Sequence, residues 1–543
     1  MSNNITNEGS TESYKIIGID LIRLSFAVFF MFLVAIYIFI NFQGTHNYIF
    51  LLIATLFASY MAMNIGANDV ANNIGPTIGS NAITLGMGLL LAATFEVAGA
   101  FIAGGDVVNT IKKDIIDISS FDGNTNAYIW VMTSALLGAG LWLNFATYFK
   151  APVSTTHSII GGIMGAGIAA IGFHVVSWGT MWMIAASWII SPLIGGVIAA
   201  SFLLAIKKTI IFKEDKLKAA TRWVPIFVSI MVWAFVTYLV LKGFHHIWHS
   251  ITSVLSFLPQ EKKPSLFIAS SFGMCIALIF YMVMRVDIRR KIQSIDNTRH
   301  GINTLFNIPL IFAAALLSFA HGANDLANAI GPLTAIHDAI LHTTMSSEVK
   351  VSLWIIVIGT LSISIGILLY GSRLVRTIGF EITKLDQVRA FSVAVATSIT
   401  VIIASQFALP VSSTQIVLGA IFGIGFLREF LDFHNPKQKV EYEESLLQHE
   451  KKLISALKSE LSIMEEKKDK QKVDHQRIIS IYEALEEEEK RILEDKKRFK
   501  YKTKVQYINR GDIKRIIFAW IITIPIAGCL SALIFFIIRG VML

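Results

Sequence analysis

Residues 64–76 read NIGANDVANNIGP, and residues 322–332 read GANDLANAIGP. Each copy sets a carboxylate and several amides inside an apolar stretch. A carboxylate there is costly and marks a site or a pathway. A second motif recurs with the first, PVSTTH at 152–157 and PVSSTQ at 410–415. Gly66 and Pro152 are 86 positions apart, and Gly322 and Pro410 are 88. Two unrelated motifs in the same order at nearly the same spacing identify an internal duplication.

The surroundings of these motifs set the fold class. Of the 543 residues, 54% are hydrophobic and only 16% charged, against about 25% charged in soluble domains. Apolar runs near the length of a bilayer crossing occupy 22–41, 48–65, 83–104, 128–149, 179–206, 224–242, 265–284, 303–321, 351–371, 389–408 and 514–538. Two further apolar stretches, 153–173 and 411–427, begin with the polar residues of the second motif and either span or re-enter. The expectation is an all-α polytopic membrane protein.

Lys and Arg cluster at 207–222, 285–299 and 428–515, and the net charge is +9. By the positive-inside rule these segments face the cytoplasm, so the charge needs no nucleic acid. Lys15 and Arg23 place the start of the first helix inside as well. The C-terminus is then expected outside, and a bacterial inner membrane is the expected location. Cys275 and Cys529 both fall in apolar spans and build neither a disulfide framework nor a metal motif.

The expected organisation is a polar tail (1–21), an extra transmembrane helix (22–41), a first repeat (48–205), a linker with two spans (206–302) and a second repeat (303–430). A polar insert (433–511) and a final helix (512–543) follow. In the insert, Leu446, Leu453, Leu457 and Met464, then Ile478, Leu485, Ile492 and Phe499, keep helical spacing. This predicts a cytoplasmic hairpin of two antiparallel, coiled-coil-like arms. Such an insert is either a solvated extension or a regulatory or oligomerising element, and a homo-oligomer is left open.

The repeated motifs carry complementary chemistry. Asp69 and Asp325, with Asn68, Asn72, Asn324 and Asn328, offer oxygens to a hard cation, and sodium fits better than a soft metal. Gly66, Gly75, Gly322 and Gly331 are expected to permit unwinding, with Pro76 and Pro332 stopping each element. Pro152 and Pro410 suit a first helical turn. Ser154, Thr155 and Thr156, and Ser412, Ser413 and Thr414, then supply hydroxyls beside helix N-terminal amides, a ready anion site. No Lys or Arg accompanies them in sequence, so a co-bound cation must offset the anion. A carboxylate beside that anion favours monohydrogen phosphate, which still carries a proton, over sulfate.

Glu96, in LLLAATFEVAGAFIAGG, is a mid-span acid that suits a cation ligand or a proton carrier. His157 and His321 adjoin the motifs, and lone histidines are commonly structural. Lys112 and Lys113, in VVNTIKKDIID, read as an interfacial stretch. An intramembrane aspartyl protease would also use two buried Asp residues, but it needs no duplicated hydroxyl motifs. An anion channel would conduct without a coupling gradient. A secondary carrier, not an enzyme, accounts for all the motifs together.

GANDVAN, FEVAGA, TIKKDIID, PVSTTH, FAHGANDLANAIGPL (319–333) and VIIASQFALPVSST (401–414) resemble the inorganic phosphate transporter family of sodium- or proton-coupled permeases. The resemblance covers roughly 48–210 and 303–540. It implies an inverted-repeat fold of about twelve spans, with phosphate between the halves and cations beside it. It also implies that the Asp and Asn of both GAND motifs and the Ser/Thr of both PVS motifs form the site. The expected ligands are inorganic phosphate and sodium or protons, within a lipid bilayer and with no other cofactor. Two positions depart from the sodium-coupled members, Ala394 where a glutamate is frequent and Gln415 where a histidine is usual. Some relatives carry sulfate, so a sulfate or other oxyanion permease is the alternative.

Overall fold

The structure is a computed structural model. It describes residues 5–542 except 122, 150, 245–247, 255–262, 343–350, 377–384, 435–450, 452, 466–476, 483, 487, 489, 493–506 and 509. Among the described residues twelve helices are long and apolar enough to cross a bilayer. No strand occurs among them, only one isolated bridge between Ile116 and Val176. In a lipid medium a helix satisfies its own backbone groups, which is why so apolar a chain folds this way.

In order, the helices are α1 (Ile5–Phe42), α2 (Tyr48–Gly79), α3 (Leu85–Ala103), α4 (Gly105–Lys113), α5 (Thr125–Tyr148), α6 (Thr155–Ala170), α7 (Trp178–Ile206), α8 (Lys216–Gly243) and α9 (Trp248–Val254). They continue with α10 (Leu266–Lys291), α11 (Arg299–Leu305), α12 (Asn307–Asp325), α13 (Ala327–His342), α14 (Leu353–Tyr370), α15 (Ser372–Arg376), α16 (Gln387–Gln406), α17 (Ser413–His434) and α18 (Arg510–Met542). Side-chain caps fix several starts. Asn124 accepts from Ala127 N, Asp215 from Lys218 N, and Asp386 from Arg389 N.

The expected unwinding at the GAND motifs does not occur. Helix α2 runs unbroken through the first copy and carries Pro76 inside it. In the second copy only Leu326 separates α12 from α13, and its φ of −57° and ψ of −34° remain helical. Unwound backbone would leave groups unpaired among apolar neighbours, so the helix persists. The glycines serve close approach instead. A Cβ on Gly66 would lie 2.2 Å from Ile363 O, and one on Gly322 would lie 2.1 Å from Glu96 O. Helix α2 therefore crosses α14, and α12 crosses α3, in the small-residue manner of membrane helices.

Helices α5 and α6 pair around the first PVS motif, and α16 and α17 flank the second. At 16 residues α6 is about 24 Å long, short of the ~30 Å hydrocarbon core. Helix α18 lies on α5 and α6, where Trp142 Nε1 donates to Thr523 Oγ1 at 3.3 Å. Helix α7 lies along α16, and its Trp188 Nε1 donates to Pro410 O at 3.2 Å. Each half thus supplies a helix that supports the other half's motif. Helix α1 packs on α2 and α14, with Phe42 against Trp354 at a ring separation of 5.3 Å.

Residues 425–509 form a second compact unit. Its described helical residues include 453–465 and 477–482. Arg477 reaches Glu460 at 2.9 Å, and the Tyr482 hydroxyl donates to Glu465 at 2.9 Å. Of the expected seam, Leu485 and Ile492 are buried and Leu453 is exposed. Leu446, Phe499 and the turn of the expected hairpin lie outside the described residues.

Candidate functional site

The GAND and PVS motifs meet in the buried interior. Thr155 Oγ1, in the first turn of α6, donates to Asp69 Oδ2 at 2.8 Å. Ser413 Oγ, in the first turn of α17, donates to Asp325 Oδ2 at 2.7 Å. Both carboxylates are fully buried, at 0% and 1% exposure. One turn along each GAND helix, an asparagine reaches into the opposite copy. Asn72 Nδ2 donates to Thr414 Oγ1 at 2.8 Å, and Asn328 Nδ2 donates to Thr156 Oγ1 at 3.1 Å. Thr414 Oγ1 lies 3.1 Å from Asp69 Oδ1, and Thr156 Oγ1 donates to Val411 O at 2.9 Å.

The remaining predicted residues hold this arrangement. Asn68 donates to Thr147 Oγ1 and Asn324 to Ser405 Oγ, both at 3.0 Å. Ser154 and Ser412 are the residues before the α6 and α17 helices. Their hydroxyls accept from His157 N at 3.1 Å and from Gln415 N at 3.3 Å, the bond of an N-cap. Those two hydroxyls therefore organise the helix starts. Glu96 joins through Asn73, whose Nδ2 donates to Glu96 Oε1 at 2.7 Å.

His321, of the kind read above as commonly structural, occupies the middle of the acids. Its Nε2 lies 2.8 Å from Asp325 Oδ2 and 3.5 Å from Asp69 Oδ2, and its Nδ1 lies 3.2 Å from Glu96 Oε1. The sequence signal was available, since His321 stands four residues before Asp325, on the same helix face. Ligand atoms of Asp69, His321 and Asp325 lie within 4.8 Å of one another. His157 takes a different part. Its ring packs on Trp188 at 4.0 Å, and its Nδ1 lies 3.5 Å from Trp520 O.

Lys112, read as part of an interfacial stretch, is 4% exposed and pairs with Asp338 of α13. Tyr128 donates its hydroxyl to Lys112 O at 2.9 Å. Nearby, Thr110 Oγ1 donates to Ala408 O at 2.9 Å, joining α4 to the approach to the second PVS motif. The spacing of TIKKDIID does not reveal a partner 226 residues away.

Several buried oxygens around the site have no hydrogen-bond partner. They are Oδ1 of Asn72, Asn73, Asn324, Asn328 and Asp325, and Oε2 of Glu96. A buried polar atom without a partner requires an explanation. All six are acceptors, and each has the oxygen chemistry that a hard cation takes. The arrangement thus combines duplicated hydroxyl donors at helix starts with carboxylate and amide oxygens.

Comparisons with known proteins point to one family. The model of the phosphate transporter family matches residues 65–531. A Helicobacter pylori strain J99 protein described as a "putative phosphate permease" is 42% identical over 531 residues, covering 95% of each chain. A Pyrococcus abyssi protein of the same description is 35% identical, covering 70% of this chain and 89% of its own. A solved structure described as "The sodium-dependent phosphate transporter" superposes with a TM-score of 0.69 at 26% identity, covering 90% of this chain and 99% of the other.

Proposed function

The chain belongs to the phosphate transporter family, and we propose that it imports inorganic phosphate with a coupling cation by alternating access. The observation that carries this reading is the reciprocal pair of bonds from Asn72 to Thr414 and from Asn328 to Thr156. Neither copy has a complete site without the other. Sliding or rocking of the halves would therefore rebuild the site itself.

The two copies are read as inverted. With α5–α6 and α16–α17 taken as re-entrant hairpins, the crossings between α2 and α12 are α3, α7, α8 and α10. Helix α12 then enters from the face at which α2 ends, opposite to the face at which α2 begins. Such copies share a site near the midplane. The basic segments fall on one side of this threading, with the N-terminus inside and the C-terminus outside.

Coupling follows from competition for two hydroxyls. Thr155 and Ser413 donate to Asp69 and Asp325. A cation bound to the carboxylates weakens their hold on those protons. The hydroxyls then turn to phosphate oxygens, assisted by the α6 and α17 N-termini. The phosphate's own proton can face a carboxylate, which disfavours sulfate. Sodium is the first choice of cation, supported by the sodium dependence ascribed to the structural relative. Protons are the second reading, favoured by His321 set among Asp69, Glu96 and Asp325.

The test is labelled-phosphate uptake into proteoliposomes under an imposed sodium or proton gradient. Asp69→Asn and Asp325→Asn should each lower uptake about tenfold to a hundredfold, the worth of a hydrogen bond to a charged group. Unchanged uptake in both variants overturns the site. Loss of counterflow with retained conductance would instead identify a channel.

A further inference from the structure

Far from the duplicated site in sequence, the ends of α8 and α10 line an open pocket of about 750 Å³. Its lining includes Lys218, Arg222, Arg285 and Arg289, with Tyr281 and one acid, Asp215. That acid caps its own helix, accepting from Lys218 N at 2.9 Å. Among the described residues none of the four cations pairs with a carboxylate. Arg222 lies 5.8 Å from the Trp223 ring and Arg285 lies 5.9 Å from the Tyr281 ring. Four uncompensated cations around one concavity describe a receptor for a multiply charged or phosphate-bearing anion.

The surface beside them narrows the choice. On α10, Met282, Val283 and Val286 are 66%, 60% and 50% exposed. Met282 stands three residues before Arg285 and Val286 three before Arg289, with Val283 between them in sequence, on a helix apolar enough to cross the bilayer. Apolar surface of this kind adjoining a basic pocket between transmembrane helices matches a charged headgroup with its acyl chain. Free phosphate would use the cations and leave the apolar face without a role. We propose that this pocket binds the headgroup of an acidic phospholipid whose chain lies along Met282, Val283 and Val286. The site belongs to α8 and α10, so its test is independent of phosphate recognition at Asp69 and Asp325.

The experiment is native mass spectrometry of the full chain in neutral detergent, titrated with phosphatidylglycerol and, separately, phosphatidylcholine. The wild-type protein should retain phosphatidylglycerol preferentially. Removing cations weakens this by roughly fivefold per charge, so Arg285→Gln with Arg289→Gln should weaken it about 25-fold. Phosphatidylcholine adducts should not change, which also reports that the variant is folded. Arg285→Lys with Arg289→Lys should keep most of the retention. A large molar excess of inorganic phosphate should leave the lipid in place. Equal phosphatidylglycerol retention in wild type and the glutamine pair overturns the proposal. So does stripping of the lipid by inorganic phosphate, which would identify a soluble-anion site. A Met282→Cys variant that cross-links fully to a second copy in either lipid overturns it too, because a protein surface would then cover that face.

Discussion

In the first copy, Thr155 holds Asp69 and Asn68 holds Thr147; in the second, Ser413 holds Asp325 and Asn324 holds Ser405. The four distances fall between 2.7 and 3.0 Å. The charged neighbours do not match in this way. Aligned on the GAND motifs, His321 stands opposite Ile65, and Asn73 opposite Ala329. At the two glycine crossings Glu96 corresponds to Ile363. The matched part sets a hydroxyl donor on a buried carboxylate in each copy, the arrangement that we propose serves phosphate and its cation. The unmatched part is Asn73, Glu96 and His321, which have no counterpart in the other copy. Under the proposed function, phosphate and its cation use the matched groups, and the unmatched groups tune the ion dependence.

The sharpest asymmetry is the buried Lys112–Asp338 pair, for which the matching sequence GSRLVRTIGF places Gly379 opposite Lys112. Lys112→Met leaves Asp338 buried without its lysine and should cost about 3–5 kcal/mol of stability. Lys112→Met with Asp338→Leu should recover most of it. Thermal unfolding in detergent measures both, and an unshifted single variant would remove this pair from the account. Next in size are the matched asparagines. Asn72→Ala and Asn328→Ala should each weaken phosphate uptake by about 1–2 kcal/mol, and by equal amounts. Strongly unequal losses would break the symmetric reading of substrate recognition.

Glu96→Gln and His321→Gln address the unmatched part. Each should move the sodium or proton dependence of uptake by about fivefold or more, with a smaller change in the KM for phosphate. A shift confined to phosphate KM would assign these residues to the substrate. The smallest effects belong to the helix starts. Ser154→Ala and Ser412→Ala each remove one cap and should lower stability by about 0.5–1 kcal/mol, again in matched fashion.

Spacing and composition made much of this legible. The duplicated motifs located Asp69, Asn72, Thr155, Thr156 and their counterparts, all of which meet in one cluster. Hydropathy located the spanning helices. What a linear reading could not distinguish was the use made of glycine. Unwinding and close approach demand the same residue, and only the carbonyls of Ile363 and Glu96 beside Gly66 and Gly322 decide between them. Lys112 shows a second limit. A lysine beside another lysine reads as surface unless its partner is known, and Asp338 lies in the other copy. His321 was within reach through its helical spacing to Asp325, but its contacts with Asp69 and Glu96 depend on helix crossings.

The exchange of partners between the copies also sets a clock on biosynthesis. Asn72 and Thr414 are separated by 342 positions. At about 5–20 residues per second, the ribosome needs roughly 17–70 s to make the second after the first. During that interval the first GAND helix has Thr147, Glu96 and Thr155 but not Thr414. The first half must therefore hold Asp69 and Asn72 short of their second-half partner until it arrives. Its survival depends on the second half arriving before proteolysis or a wrong helix does.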